Sequence, residues 1–389
     1  MGGQDKRIVI VSGIGPGPSG TGRLVTHLSR DCKSHGIQLV TGPSRSTPPR
    51  AALREHHLRK FLAGSADRIA GWWHPRAALV SGLLRRADEL VVLHPQSIGF
   101  DLVRRMVQSR PFTWFYVMDA SFFCVRSYNH LPDGTGPCLK CLSGKMSEAT
   151  ANGCIQAFRD GTRMATFIGD VRVAVSNGTV GFLAQNELQV GLLRDSFGPD
   201  VPVRQVGVWA SDWDRAIDSA VQAATADDSA PVVFHGGGHP AKGSRWAFRV
   251  AEHCPDLSFL FPFNRPALLS IPENCDFRAM TWETGLEAAV RAAPVVLVPS
   301  LWSAPVEGAL IKSIALARSV AVVDTSSAFS HELPAEVVAR LDPDPAIAAV
   351  ELRRLAASRA SSFQARIDWL EAFGVANRPL AENIAQCLK

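Results

Sequence analysis

The stretch Val232-Val-Phe-His-Gly-Gly-Gly-His-Pro-Ala-Lys-Gly243 reads as strand, glycine loop, helix. Gly236, Gly237 and Gly238 let the main chain come close to a ligand. Lys242 falls at the start of the following helix, where its charge and the helix dipole both favour a diphosphate. A tight turn with a solvated lysine is the plainer reading. The functional one is preferred because the chain repeats this layout after the first strand of each half, where open parallel sheets bind ligands.

A second stretch runs from Val295 through Pro299-Ser-Leu-Trp-Ser-Ala-Pro-Val-Glu-Gly308 to Asp324. A buried strand ends at Pro299-Ser300, and a helix is expected from Val306 or Glu307. Glu307 then lies in the first helical turn, where the dipole alone would favour an acid. Its carboxylate could also accept hydrogen bonds from sugar hydroxyls, and first-turn N–H groups could hold phosphate.

A third glycine-rich run, Ser12 to Arg23, follows the first strand. It is no dinucleotide fingerprint, since Pro16 and Pro18 stiffen it and no acid ends the second strand near Val40. It is no P-loop either, for no Lys-Ser/Thr follows. It is a structural turn or a loop framing a ligand cleft, with Gly20 and Gly22 at the expected helix start. The second use fits its context better.

Cys124, Cys138, Cys141 and Cys154 form C-x13-C-x2-C-x12-C. Four thiolates so spaced can close a structural zinc site, with His130 as a substitute ligand. Buried free cysteines, or a redox pair at Cys138 and Cys141, are the alternatives.

The elements needed to hold these residues are parallel β and α. Strand candidates are Ile8–Val11, Gln38–Val40, Glu89–Leu93, Trp114–Val117 and Arg172–Val175, then Pro231–Phe234, Ser258–Phe261, Val295–Val298 and Val320–Val323. Helical patterns alternate with them, among them Gly22–Lys33, Ala51–Leu62, Ile98–Gln108, Ser244–Glu252, Gly285–Ala292 and Val306–Ala317. The expected fold class is α/β: two Rossmann-like domains, parallel sheets with helices on both faces, and a cysteine-bearing insert in the first. The polar stretch Asp212 to Ala230 reads as a joint. The halves would be 1–210, with the insert at 124–154, and 225–365. A closing helix at 366–389 would pack back on the first.

The chain has 389 residues, a formal charge of +5, 46% hydrophobic and 20% charged residues. No signal pattern or membrane-spanning run is visible, so a cytoplasmic protein with reduced cysteines is expected. Basic residues at Lys60, Arg85, Arg86, Arg104 and Arg105 face water on the plain reading, or meet anionic lipid or a phosphate-bearing acceptor on the other. No nucleic-acid module is recognised.

Several ordered motifs resemble the retaining GT-B glycosyltransferases of family 4. Pro299-Ser-Leu-Trp302 with its loop and helix resembles their donor site, and Val233–Gly243 their strand-loop-Lys-Gly element. Val173-Ala-Val-Ser-Asn177 resembles their last N-domain strand, Val206-Gly-Val208 their linker, and Leu90-Val-Val-Leu-His94 the strand bearing a cleft histidine. The likeness runs through nearly the whole chain. It implies a GT-B fold and a nucleotide-diphosphate sugar donor on the C-terminal domain, with Ser303 to Gly308 facing the sugar. It implies no cofactor for the chemistry, and a polysaccharide, lipid-linked or small-molecule acceptor, with peripheral contact at the inner membrane face. His94 and Asp119 would face the acceptor and the reacting carbon. Cysteine insertions like this one occur after the aspartate in some relatives, in support of structural zinc.

The departures are specific. The family's paired glutamates fall on Ala304 and Lys312, its phosphate-binding arginine on Gly237, and its usual histidine before Asp119 on Met118. The diphosphate is left to Lys242 with Arg245, and Lys312 would meet a phosphate instead of a ribose. A catalytically silent nucleotide-sugar-binding partner in polysaccharide assembly, or a GT-B nucleotide-sugar epimerase, are the rival readings.

Overall fold

Strand β1, Ile8–Ser12, shows why this chain folds as it does. All five residues are buried. Ile8 and Ile10 point into one apolar cluster, Val9 and Val11 into another. β3, Glu89–Leu93, divides the same way, with Val91 and Leu93 on one side and Leu90 and Val92 on the other. Alternation puts successive side chains on opposite faces, and both faces are covered.

The computed structural model describes residues 6–17, 20–42, 73, 75–78, 82–84, 86–155, 161–208, 227, 229–267, 270–325, 327, 332–358, 363–377 and 379–389. The expected helix Ala51–Leu62 with Lys60, together with Arg85 and most of the expected joint, lies outside these residues. The described residues group into two compact units. One lies within Met1–Ser127, Lys140–Ser211 and Asn377–Lys389, the other within Tyr128–Leu139 and Asp212–Ala376.

The first unit holds a six-stranded sheet in the order β2-β1-β3-β4-β5-β6. Besides β1 and β3 its strands are β2 Ile37–Thr41, β4 Thr113–Tyr116, β5 Val180–Ala184 and β6 Val203–Gln205, all parallel. The second unit holds a sheet in the order β12-β11-β10-β7-β8-β9. These strands are β7 Val232–Phe234, β8 Phe259–Phe261, β9 Cys275–Phe277, β10 Val296–Leu297, β11 Val320–Val323 and β12 Ala339–Leu341, again parallel. Strand order reverses between β1 and β3 in one sheet and between β7 and β10 in the other. At such switch points the loops diverge and leave a crevice at the carboxyl ends.

The segment Val173–Asn177 is not a strand. It is the end of a helix, Gly161–Ser176, and β5 follows it. Met164, Phe167, Ile168 and Val171 form its buried stripe at helical spacing, while Val173 is 61% exposed. The C-terminal pattern forms two helices. Phe363–Ala376 belongs to the second unit. Leu380–Leu388 belongs to the first, where Leu380, Ile384 and Leu388 pack with Ile8, Ile10, Leu24 and Leu28. Fully burying an aliphatic side chain of this size contributes about 1.5–3 kcal/mol.

Candidate donor and acceptor sites

The second unit brings Lys242 and Glu307 together at the switch point between β7 and β10. Two loops are involved, and the backbone locks them to each other. The Leu301 N–H donates to Ala241 O at 2.9 Å. Gly243 sits at φ 80° against Pro299, where an added Cβ would lie 2.0 Å from the Pro299 carbonyl oxygen. Lys242 ends a short 3-10 turn, Pro240–Lys242, and the helix Ser244–Glu252 starts only after Gly243. His239 caps that turn by accepting from the Ala241 N–H at 3.1 Å.

Glu307 is not inside a helix. It is the N-cap of Gly308–Leu316, yet its side chain caps no backbone N–H. The carboxylate instead takes the ammonium of Lys242. Trp302 Nε1 donates to the same oxygen at 3.2 Å, and Ser300 Oγ stands 3.5 Å from it. The Lys242 ammonium also lies 5.2 Å from the Trp302 ring centroid and 5.5 Å from that of Tyr128. Tyr128 meets Trp302 edge-on at 4.8 Å. An ammonium flanked by two aromatic rings and one carboxylate is held by cation–π attraction as well as by charge.

Ser303 is spent on another partner. Its N–H donates to Asn129 Oδ1 at 3.0 Å, and its Oγ accepts from Asn129 Nδ2 at 2.8 Å. Asn129 and Ser303 are both buried. Gly236 and Gly238 are glycines because Phe234 and Phe263 leave a Cβ 2.9 and 3.1 Å of room. Gly237 is exposed with open space beside it, and so is Gly308. None of the three loop glycines takes a positive φ. Arg245 reaches Asp133 at 3.4 Å on an exposed surface, a weak arrangement.

Lys312, further along the same helix, lies 4.5 Å from the Trp282 ring centroid. Trp282 stacks on His235 with ring centroids 5.5 Å apart. His235 is buried at the end of β7, with Nδ1 2.8 Å from Ser313 Oγ. Burial first, and the Lys312 charge second, push its pKa down to about 3. So His235 is neutral, and Lys312 rests its cation on an aromatic face.

The first unit places its own residues at the β1–β3 switch point. Gly13 abuts the backbone of Ser97, where a Cβ would meet atoms at 2.4 Å. This glycine serves backbone packing. Gly20 opens the helix Gly20–Asp31 two residues before the expected start. Gly22 folds back on Gly17, whose N–H donates to Gly22 O at 3.2 Å. His94 ends β3 in the left-handed region, at φ 48° and ψ 68°. That conformation costs a non-glycine residue about 1–3 kcal/mol and clusters at functional positions. Asp119 follows β4 and accepts from the Ser121 N–H at 2.9 Å. Withdrawal from water pushes its carboxyl above the usual carboxylate range, against that N–H and the nearby His94 charge. The structure thus brings His94 and Asp119 close to each other.

The zinc site expected at the four cysteines finds no support. Among the described residues no group of three or more His, Cys, Asp or Glu side chains is placed to hold a metal. Three of the thiols pack in apolar clusters. Cys124 joins the large core with Phe122 and Phe123. Cys141 and Cys154 join a separate cluster with Val125, Met164 and Ile168. Cys138 belongs to the segment grouped with the second unit. Of the basic residues, Arg104 is committed to Asp170 at 2.8 Å. No helix among the described residues is long and apolar enough to cross a membrane.

Sequence reasoning missed Tyr128, Asn129, His235 and Trp282. Tyr128 is one of only two tyrosines in the chain, and it sits inside the cysteine segment, the one signal that could have drawn attention to it.

No protein-family model matches the chain, and no curated protein matches it. Solved structures do. Sucrose-phosphate synthase from Thermosynechococcus elongatus superposes with a TM-score of 0.62 at 13% identity, covering 98% of each chain. A UDP-forming α,α-trehalose-phosphate synthase from Burkholderia vietnamiensis gives 0.56 at 14% identity over 99% of each. Anabaena HepE, solved with UDP and glucose, gives 0.57 at 11% identity over 98% of this chain and 99% of its own. At such identities the likeness establishes the fold: this chain has the GT-B fold of two Rossmann-like domains.

Proposed function

We propose that this protein is a glycosyltransferase taking a sugar from a nucleotide-diphosphate donor bound by its second unit. The observation that carries this reading is the Lys242–Glu307 pair beside Trp302, at the carboxyl ends of β7 and β10. As the glycosidic bond breaks, the diphosphate gains negative charge, and a fixed lysine offsets it. Gly237 and Gly308, both open to solvent, give the ligand close access to main-chain N–H groups. The hexose hydroxyls go to Glu307. Solved structures of Anabaena HepE contain UDP or UDP-glucose, which supports this donor class.

His94 and Asp119 are proposed to serve the acceptor, a carbohydrate or lipid-linked hydroxyl compound. Transfer with retention of configuration follows the family resemblance. The test is a panel of nucleotide sugars scored for thermal stabilisation and slow donor hydrolysis. Stabilisation by one donor with release of its sugar supports the reading, and no stabilisation by any donor ends it.

A second reading is favoured by Lys312, which puts an ammonium on Trp282 at a position where the family resemblance implies a glutamate. On that reading the protein binds a nucleotide sugar without turning it over. Donor binding with no hydrolysis or transfer, even with cell-derived acceptor lipids, selects it.

A further inference from the structure

We infer that Glu307 is an exchangeable counter-ion for Lys242, so that the site prefers an intact nucleotide sugar to the bare nucleoside diphosphate left after transfer. The inference rests on the donor reading above and adds a specificity role to it.

Glu307 has an obvious alternative occupation that it does not take. Standing at a helix N-cap, it could satisfy first-turn N–H groups, yet its side chain makes no capping hydrogen bond. It turns to Lys242, Trp302 Nε1 and Ser300 instead. The lysine and glutamate side chains are only 21% and 18% exposed. At that depth, removing one partner leaves the other charge costly.

Any diphosphate that engages Lys242 must therefore compete with Glu307. A nucleoside diphosphate gives Lys242 a new anion but gives Glu307 nothing, and it brings negative charge toward an abandoned carboxylate. A nucleotide sugar settles both groups: phosphate oxygens accept from Lys242, and sugar hydroxyls donate to Glu307. Once the sugar has gone to the acceptor, Glu307 loses its donors and reclaims the lysine, loosening the spent nucleotide. No proton moves and no covalent bond is made in this exchange. The Leu301–Ala241 hydrogen bond and the Gly243–Pro299 contact fix both loops, so side-chain rotation is sufficient.

The test is calorimetric titration of the full chain with UDP and UDP-glucose, GDP and GDP-mannose, and ADP and ADP-glucose. The wild type should bind one sugar form more tightly than its diphosphate. Glu307→Gln keeps the shape and the Trp302 acceptor but removes the charge. It should tighten the diphosphate about tenfold, roughly one charge-pair coupling, and change the sugar form less. Glu307→Ala should shift the preference in the same direction. In a Lys242→Gln background, Glu307→Gln should lose most of this gain, the mark of coupling between the two. An unchanged or weakened diphosphate in a folded Glu307→Gln overturns the exchange while leaving the donor site intact. A gain that persists in full without Lys242 also overturns it, since simple repulsion would then explain it. Absence of binding by the wild type and both Glu307 variants overturns the donor reading itself, and the exchange with it.

Discussion

Gly243 touches Pro299 so closely that an added methyl group would stand 2.0 Å from the Pro299 carbonyl oxygen. The residue is also at φ 80°, a region side chains rarely adopt. Steric overlap and backbone strain both act at the joint that sets Lys242 opposite Glu307. Gly243→Ala should therefore destabilise the protein by about 2–4 kcal/mol. Urea unfolding checks this, and a loss under about 0.5 kcal/mol, the range of ordinary surface changes, would mean the joint yields freely.

Lys242 is the cation assigned to the diphosphate. Lys242→Ala should weaken a nucleoside diphosphate about 10- to 100-fold, the worth of a hydrogen bond to a charged group. The parent nucleoside, which carries no phosphate, should lose much less. Titration calorimetry with both ligands decides it, and equal losses would place the lysine away from the phosphates.

His235 should make stability depend on pH. Its native pKa is about 3, so in the folded protein it stays neutral where an unfolded chain takes up a proton near the ordinary 6.5. The unfolded state then binds more protons between those values, and stability present above pH 6.5 is lost as pH falls toward 3. Ordinary carboxylates join in below about pH 5, which leaves a window from about 6.5 to 5. The raised Asp119 carboxyl and the other histidines are common to the wild type and a His235 variant, so the difference in slope reports His235. The slope due to His235 there should approach about 1.4 kcal/mol per pH unit at most. His235→Phe keeps a ring against Trp282 and leaves Ser313 Oγ its 2.9 Å bond to Ala309 O. Urea midpoints measured across the window should be flatter in the variant, and an identical slope would rule out a buried neutral imidazole.

Asn129 holds the Ser303 loop through two hydrogen bonds in a buried setting. Asn129→Ala leaves the Ser303 N–H without its partner and should cost about 1–3 kcal/mol. Asn129→Asp keeps the acceptor for that N–H and should retain part of the stability. Chemical denaturation of the three proteins gives the order. An alanine variant as stable as the wild type would show that water replaces the side chain at no cost.

What the sequence made legible follows from burial. Glu89–Leu93 and Val320–Val323 match strand boundaries because central parallel strands are apolar on both faces. Val203–Gln205 and Ala339–Leu341 went unread, being three-residue edge strands with polar members. Arg172–Val175 misled because two valines alternate with other residues at the end of a helix whose true stripe lies earlier. Lys242 and Glu307 were each visible from local pattern. Their pairing was not, because nothing local joins residues 65 positions apart. Asn129 lies 174 positions from Ser303, and only the folded chain brings them together.

The helix Leu380–Leu388 has a consequence for synthesis. Its apolar face completes the core around Ile8 and Ile10, and Asn383 Nδ2 donates to Val206 O at 2.8 Å. A ribosome makes this helix after every segment of the other unit. The half that is translated first must therefore wait, with an unfilled apolar seat on its sheet, while the half that is translated later already has all its parts. Until Leu380, Ile384 and Leu388 are made, the apolar residues Ile8, Ile10, Leu24 and Leu28 lack part of their cover.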